Sequence, residues 1–353
     1  MCSGLLLQNH TEGGYTVRAG CAFWARRILR WTALITSLMQ VLDIYRKLIL
    51  ARLFEEKAAE LYLQGHIYGF CHLYIGQEAV AVGLSENMIP QDSVITGYRD
   101  HVHILMRGVS PENVMAELCG RATGCSKGKG GSMHMYSKEK LVYGGNGIVG
   151  AQVPIGAGLA FAHKYRADGG VAFVFFGDGA ANQGQVYETF NMASLWNLPV
   201  VFVLENNHYG LGTSVDRAAA GGTLTNRGDP FSIQTICIDG MDVFDVRDKS
   251  VAAIEQTRNG GGPVILHMDT YRYRGHSMSD PATYRARAEV ETVKKTRDPI
   301  MRVKNLLIND LGVSESEVAA IEQEVATIVN SAAEFAVASP PPHESELETG
   351  VVL

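Results

Sequence analysis

Val171-Ala172-Phe173-Val174-Phe175-Phe176-Gly177-Asp178-Gly179-Ala180-Ala181-Asn182 is the stretch whose reading decides the fold. Its first six residues are continuously apolar, which predicts a parallel strand buried on both faces. A second apolar run, Val200-Val201-Phe202-Val203-Leu204, leads into Asn206-Asn207, and residues 183–196 between them have helical spacing. Two neighbouring strands therefore deliver an Asp and an Asn to one edge of a sheet, the edge at which open α/β sheets hold ligands. A carboxylate and an amide carbonyl are hard oxygen donors, suited to a Mg2+ ion that also grips a diphosphate. Alone, Asp-Gly is a common turn and Asn-Asn a common loop pair. The combination carries the information.

Gly-Asp-Gly, 26 intervening residues and Asn-Asn, each preceded by a strand, resembles the thiamine diphosphate-binding motif. A dinucleotide fingerprint fails, because Gly177-Asp178-Gly179 continues as Ala180-Ala181-Asn182 and lacks the third glycine. A Walker loop around Gly128-Lys129 fails too, since it needs a glycine at Thr123 and a Ser or Thr at Gly130.

The 353 residues suffice for one large or two modest domains, and 46% hydrophobic with 19% charged residues describes an ordinary soluble globular chain. A net charge of −6 and a pI near 6.0 argue against a nucleic-acid binder. The six cysteines (2, 21, 71, 119, 125, 237) form no CxxC pair, which predicts reduced thiols in a cytosol-like compartment. Residues 1–38 hold Arg18, Arg26, Arg27 and Arg30 against one acid, Glu12. They read as a mitochondrial targeting segment or as an upstream mis-start, with Met39 as the first residue. The uncharged run of 12 residues from Trp31 to Leu42 is too short to span a bilayer.

Further along, Asp43 is expected to cap an amphipathic surface helix that stops at Gly65. Residues 66–150 are rich in His, Gly, Arg and Tyr and predict short helices at 76–88 and 111–119 joined by ligand-facing loops. A small-residue helix is expected from Val153 to Tyr165, with strands at 234–238 and 263–268 and helices at 248–258, 298–309 and 315–336. The Arg-, Tyr- and Ser-rich residues 269–290 read as a long functional loop. The alternation predicts an α/β fold, a parallel sheet with helices on both faces.

On this frame Asp178 and Asn207 are the candidate metal ligands, with the backbone carbonyl of Tyr209 third. The N–H groups of Gly179 and Ala180 are expected to open the next helix as a phosphate seat. Positive side chains should converge on a diphosphate. The candidates are Arg99 in Tyr98-Arg99-Asp100-His101, and Arg272 with His276 in the late loop.

From about residue 40 to 345 the chain resembles the α subunits of the decarboxylating component of pyruvate dehydrogenase complexes, members of the thiamine diphosphate-dependent 2-oxo acid dehydrogenases. The resemblance rests on Gly69-Phe70-Cys71-His72-Leu73-Tyr74, Gly76-Gln77-Glu78-Ala79, Gly128-Lys129-Gly130-Gly131-Ser132-Met133-His134-Met135, Asn146-Gly147-Ile148-Val149-Gly150-Ala151-Gln152 and Gly275-His276-Ser277-Met278-Ser279-Asp280-Pro281. It implies a thiamine diphosphate-binding domain over 39–345 between the extension 1–38 and a tail 346–353. It implies that Tyr98 and Arg99 contact the cofactor, that backbone groups of Gly147 and Val149 hold its aminopyrimidine ring, and that His72 lines the substrate side. His276 would stand near the reacting carbon and the phosphates, for proton transfer or orientation. The implied reaction is oxidative decarboxylation of pyruvate, with the acetyl group passed to a lipoyl group on the acyltransferase component. In this family the glutamate that activates the aminopyrimidine lies on a β subunit, so the chain is expected to be half of a site in an α2β2 assembly.

Several signals depart from the pattern or stay open. Val102 in His101-Val102-His103 stands where many relatives have glycine, and the two His of a helical His-x-His face apart and do not suit a metal. Ser277 lies where mitochondrial relatives are phosphorylated. Arg274-Gly275-His276, Ile75 and Lys138-Glu139-Lys140 resemble alphaproteobacterial forms, which favours a bacterial cytoplasm over the mitochondrial matrix. The alternatives are a branched-chain 2-oxo acid or acetoin dehydrogenase α subunit, a nicotinamide oxidoreductase, or a non-catalytic scaffold. Met133-His134-Met135-Tyr136 and Ala151-Gln152-Val153-Pro154 resemble the pyruvate type.

Overall fold

The computed structural model describes the backbone of residues 17–349 and side chains from Leu38 onward, so most of the expectation about residues 1–38 lies outside the described side chains. The chain divides into two units, Met1–Asp43 and Ile44–Leu353. The described part of the first is helical backbone belonging to α1 (Val17–Leu63). The second unit carries everything that follows.

Its centre is a six-stranded, all-parallel sheet built from β1 (Ser93–Gly97), β2 (Val142–Asn146), β3 (Ala172–Gly177), β4 (Val200–Asn206), β7 (Gln234–Asp239) and β8 (Val264–Asp269) in the order β2-β1-β3-β4-β8-β7. A two-stranded antiparallel turn, β5 (Tyr209–Gly210) and β6 (Thr213–Ser214), follows β4. The two apolar runs form the paired central strands, with Val174 opposite Phe202 and Gly177 opposite Glu205.

Both faces of these strands are buried, so their side chains alternate between two cores. Val174, Phe176, Phe202 and Leu204 pack with Ala157 and Ala160 of α5 (Gln152–Arg166) and Phe190 and Ala193 of α6 (Gly184–Leu195). Phe173, Phe175, Val201 and Val203 pack with Val80 and Leu84 of α2 (Glu78–Ser85) and Val246 and Ile254 of α8 (Val243–Gln256). Gly156 lets α5 lie directly on the sheet, since a Cβ there would come within 2.2 Å of Val174.

The remaining helices are α3 (His101–Met106), α4 (Pro111–Leu118), α7 (Val215–Ala218), α9 (Arg287–Arg297), α10 (Pro299–Asn305) and α11 (Glu315–Ala338). Ser314 and Glu317 form a reciprocal capping box at the start of α11, which packs on α4. The fully buried Glu117 of α4 organises the glycine-rich loop that follows. Its Oε2 accepts the N–H groups of Ser126 (2.7 Å) and Gly128 (2.9 Å), and its Oε1 those of Gly130 (2.7 Å) and Gly131 (3.1 Å). No described helix is long and apolar enough to cross a membrane.

Three expectations are corrected. Asp43 does not begin a helix: α1 runs through it, because no Gly or Pro interrupts residues 21–64. The stop holds, with Gly65 at φ +79°. Residues 66–150 are not only helices and loops but also supply β1, β2 and α3. These elements are short, β2 carries two glycines, and their pairing is decided by the sheet rather than by local pattern. The loop expected over 269–290 ends at α9, a polar helix with no buried residue.

Candidate active site

The strand order reverses between β1 and β3: β2 lies on one side of β1 and the later strands on the other. A crevice opens there beyond the carboxyl ends of the strands. Gly97-Tyr98-Arg99 leaves β1, Gly177-Asp178-Gly179 leaves β3, Asn207 follows β4 and Arg272 follows β8. All border one cavity of about 370 Å3. Val149, beyond β2, and Ala180, Tyr209 and His276 complete the predicted residues on its wall.

Asp178 is 4% exposed, and burial pushes its carboxyl up while Arg272 and nearby backbone N–H groups oppose the shift. The two asparagines divide their work. Asn206 Oδ1 accepts the N–H of His208 (3.2 Å) and builds the turn, where His208 takes φ +73°. Asn207 faces the cavity: its Nδ2 donates to Gln77 Oε1 (3.1 Å), and its Oδ1 is buried without a partner. The β5–β6 turn crosses close above Gly179, where a Cβ on Gly210 would stand 3.2 Å from the Gly179 Cα.

The two arginines are held by backbone carbonyls. Arg99 donates to the carbonyls of Leu73 and His276, the latter at 2.8 Å. Burial, then the neighbouring Arg272, brings its pKa down to about 10. Arg272, 1% exposed, donates to the carbonyls of Tyr209 (3.0 Å) and Leu211 (3.1 Å) and to Tyr284 Oη (2.8 Å). One lone pair of the Tyr209 carbonyl, the third candidate metal oxygen, is thus already used.

A second, more open cavity of about 600 Å3 adjoins the first and shares Tyr98, Val149, Leu211 and His276 with it. Gly147 and His72 border only this one. The rings of His72, Tyr98 and His276 form a cluster with centroids 4.5, 5.2 and 5.5 Å apart. Burial, then the charge of Arg99, pulls the pKa of His72 down to about 2 and that of His276 to about 4. Both are neutral imidazoles at neutral pH, with Nδ1 buried and unpartnered. Each offers neutral ring nitrogens for hydrogen bonding, and the lowered pKa makes each a weak base.

A family model described as the dehydrogenase E1 component matches residues 46–345. The chain belongs to this family. It is 55% identical over 315 residues to the pyruvate dehydrogenase E1 component subunit alpha of Zymomonas mobilis, covering 89% of each chain. It is 56% identical over 312 residues to the protein of that name from Rhizobium meliloti, covering 88% of this chain and 90% of the relative. A mitochondrial counterpart from Dictyostelium discoideum is 50% identical over 320 residues, covering 90% of this chain and 84% of the relative.

E1 components are thiamine diphosphate-dependent 2-oxo acid dehydrogenases, and the cavity fits the charged end of that cofactor. A buried carboxylate and an unpartnered buried amide carbonyl on adjacent strand ends form a donor set for a diphosphate-bound cation. Among the described residues no cluster of three or more His, Cys, Asp or Glu side chains is placed to hold a metal. Such a cation would rely on oxygens of the kind found here.

One expectation about the E1 site is corrected. Gly179 and Ala180 do not open α6. They lead into a three-residue 3-10 turn, Ala180–Asn182, and the extended Gln183 separates it from α6, which starts at Gly184. His101 and His103 do face apart: His101 Nδ1 meets Glu55 (2.8 Å), while His103 packs on Tyr74 and Phe175. Val102 is helical and buried against Ala51, Tyr74 and Ala81, so the position asks for no glycine.

Sequence reasoning missed three groups. Gln77 borders the cavity. So does Glu205, which accepts from Tyr74 Oη; it sits two residues before Asn207, and that spacing was the available signal. Arg285 clamps the late loop, donating to the carbonyls of Arg272 (2.6 Å), Tyr273 (3.0 Å) and Arg274 (2.6 Å) among the rings of Tyr209, Tyr271 and Tyr284.

Proposed function

We propose that this chain is the α subunit of a pyruvate-decarboxylating E1 enzyme, acting with a β subunit in an α2β2 assembly and passing an acetyl group to the lipoyl domain of a dihydrolipoyl acetyltransferase. The observation that carries the reading is the pairing of Asp178 with the free Asn207 carbonyl in a cavity bordered by Tyr98 and His276. Identities near 55% to proteins named as pyruvate dehydrogenase α subunits support the substrate. Bacterial relatives support a bacterial cytoplasm over the mitochondrial matrix.

Asp178 and Asn207 would hold a Mg2+ ion for the diphosphate, with the remaining lone pair of the Tyr209 carbonyl as a third oxygen. Backbone groups of Gly179 and Ala180 and the positive charges of Arg99 and Arg272 would serve the phosphates. Backbone groups of Gly147 and Val149 would hold the aminopyrimidine. When bound, thiamine diphosphate supplies a nucleophilic carbon and an electron sink for the departing carboxylate. Neutral His72 and His276 orient pyruvate through hydrogen bonds, and His276 accepts or returns a proton beside the reacting carbon. The glutamate that activates the aminopyrimidine comes from the β subunit.

The test is co-expression with the β subunit and measurement of carbon dioxide release from pyruvate, with thiamine diphosphate and Mg2+ supplied or withheld. Activity that needs both chains and both cofactors supports the reading. Activity of this chain alone sinks the half-site, and faster release from a branched 2-oxo acid sinks pyruvate as the substrate.

A further inference from the structure

Gln77 occupies the N-cap of α2, a position where Ser, Thr, Asp or Asn usually accepts a free backbone N–H. Its side chain caps nothing. It is completely buried and turned into the cavity that Asp178 and Asn207 border. The backbone holds it there. The Gln77 N–H donates to the Tyr74 carbonyl (3.1 Å), and Gly76 before it takes φ +101° with no room for a Cβ beneath the Tyr271 carbonyl and the Tyr273 ring.

The contact with Asn207 leaves two buried atoms without partners, Asn207 Oδ1 and Gln77 Nε2. A folded protein rarely strands two such atoms in one place, and both here border a ligand-sized space. An asparagine amide whose NH2 is engaged by an acceptor must present its oxygen to the opposite side. That oxygen suits a divalent cation, and the free Gln77 NH2 suits an anionic oxygen.

From this geometry we infer that Gln77 is a positioning residue for the cation site: its Oε1 fixes the Asn207 amide with the carbonyl toward the cation, and its Nε2 donates to a diphosphate oxygen on the same ion. The inference rests on the assignment of Asp178 and Asn207 as cation ligands. Gln77 Oε1 acts on the cation through Asn207, so that part of its contribution vanishes when Asn207 is gone.

The experiment uses the αβ holoenzyme with thiamine diphosphate and Mn2+ as the probe, free Mn2+ being counted by its electron paramagnetic resonance signal. Gln77→Met, which neither donates nor accepts strongly, is expected to weaken Mn2+ binding roughly 10- to 100-fold, the usual cost of removing a group that orients a metal ligand. Gln77→Glu, which only accepts, is expected to keep Mn2+ affinity at or above wild type and to weaken thiamine diphosphate binding. In an Asn207→Ala background, Gln77→Met is expected to change Mn2+ affinity by at least about fivefold less than in the wild-type background. Melting curves identify a variant that fails to fold, and Gln77→Glu then carries the test through its split between cation and cofactor affinity. Wild-type Mn2+ affinity in folded Gln77→Met, or full additivity with Asn207→Ala, overturns the role of Gln77 alone. Absence of Mn2+ binding by the wild-type holoenzyme overturns the cation site and this inference together.

Discussion

The two edges of the sheet carry similar polar residues to opposite ends. At the amino edge, Ser93 Oγ meets His163 Nε2 (2.7 Å) and His163 Nδ1 meets Asp168 Oδ1 (2.8 Å), a chain of the kind found in hydrolases. Beside it Asp92 receives Arg258 through two bonds (2.7 and 2.9 Å) and also accepts the N–H groups of Ile89 and Val171 (both 2.9 Å). Ser93, His163 and Asp92 are buried, and each is satisfied within the protein. At the carboxyl edge, Asn207 Oδ1, Gln77 Nε2, His72 Nδ1 and His276 Nδ1 are buried and unsatisfied. The residue types at the amino edge spell catalysis more loudly, but these unpartnered atoms at the other edge lie against the two cavities. A completed network holds a fold together, whereas unpaired buried polar atoms beside a cavity are available to a ligand.

If this contrast is right, substitutions at the two edges separate activity from stability. Asp178→Ala is expected to lower kcat in the assembled enzyme by roughly 10^3-fold while changing the melting temperature little, because the burial cost of its carboxylate offsets the support it takes from neighbouring backbone N–H groups and Arg272. Pyruvate turnover beside calorimetry reads both, and normal turnover breaks the assignment. Asp92→Ala should do the reverse, costing about 3 kcal/mol by stranding Arg258 and two backbone donors, with kcat of the folded fraction intact. Denaturant unfolding measures that loss.

A third test uses pH. His276 is held at about 4 in the fold against about 6.5 in an unfolded chain. The folded state therefore binds fewer protons across that interval, so stability falls as pH drops from about 6.5 to 4. His276→Gln should remove at most about 3 kcal/mol of that acid loss and change nothing above pH 7. Parallel unfolding curves between pH 4 and 7 for the two proteins decide it. Smallest of all, Ser93→Ala should cost about 1 kcal/mol and no activity, and any defect in pyruvate turnover would blur the line between the edges.

Legibility in the sequence followed the same physics. The central strands could be read because burial on both faces writes itself as unbroken apolar runs, Val171–Phe176 and Val200–Leu204. Asp178 and Asn207 could be read because each sits at the end of such a run. β1 and β2 could not, since Ser93-Val94-Ile95-Thr96-Gly97 and Val142-Tyr143-Gly144-Gly145-Asn146 owe their state to neighbours distant in sequence. Gln77 was invisible for a related reason: its partner Asn207 lies 130 residues away, and nothing local distinguishes it from a weak N-cap. The helical spacing of 183–196 matched α6, but the 3-10 turn Ala180–Asn182 ahead of it could not be read, because the turn geometry before Gly184 is a tertiary outcome.

The loop around Glu117 closes the comparison with nucleotide-binding proteins that Gly128-Lys129 invites. Lys127 at φ +58°, Gly128 at +75° and Gly131 at +59° curl the backbone so that four amides converge, the concave shape with which phosphate loops receive their ligand. In this chain the guest is tethered to the host, as one carboxylate of the preceding helix fills the bowl from inside. A loop that carries its own anion has no vacancy to advertise. Its lysines turn outward instead, toward Glu346 and Thr349, and its shape is set with the polypeptide rather than with the arrival of a cofactor.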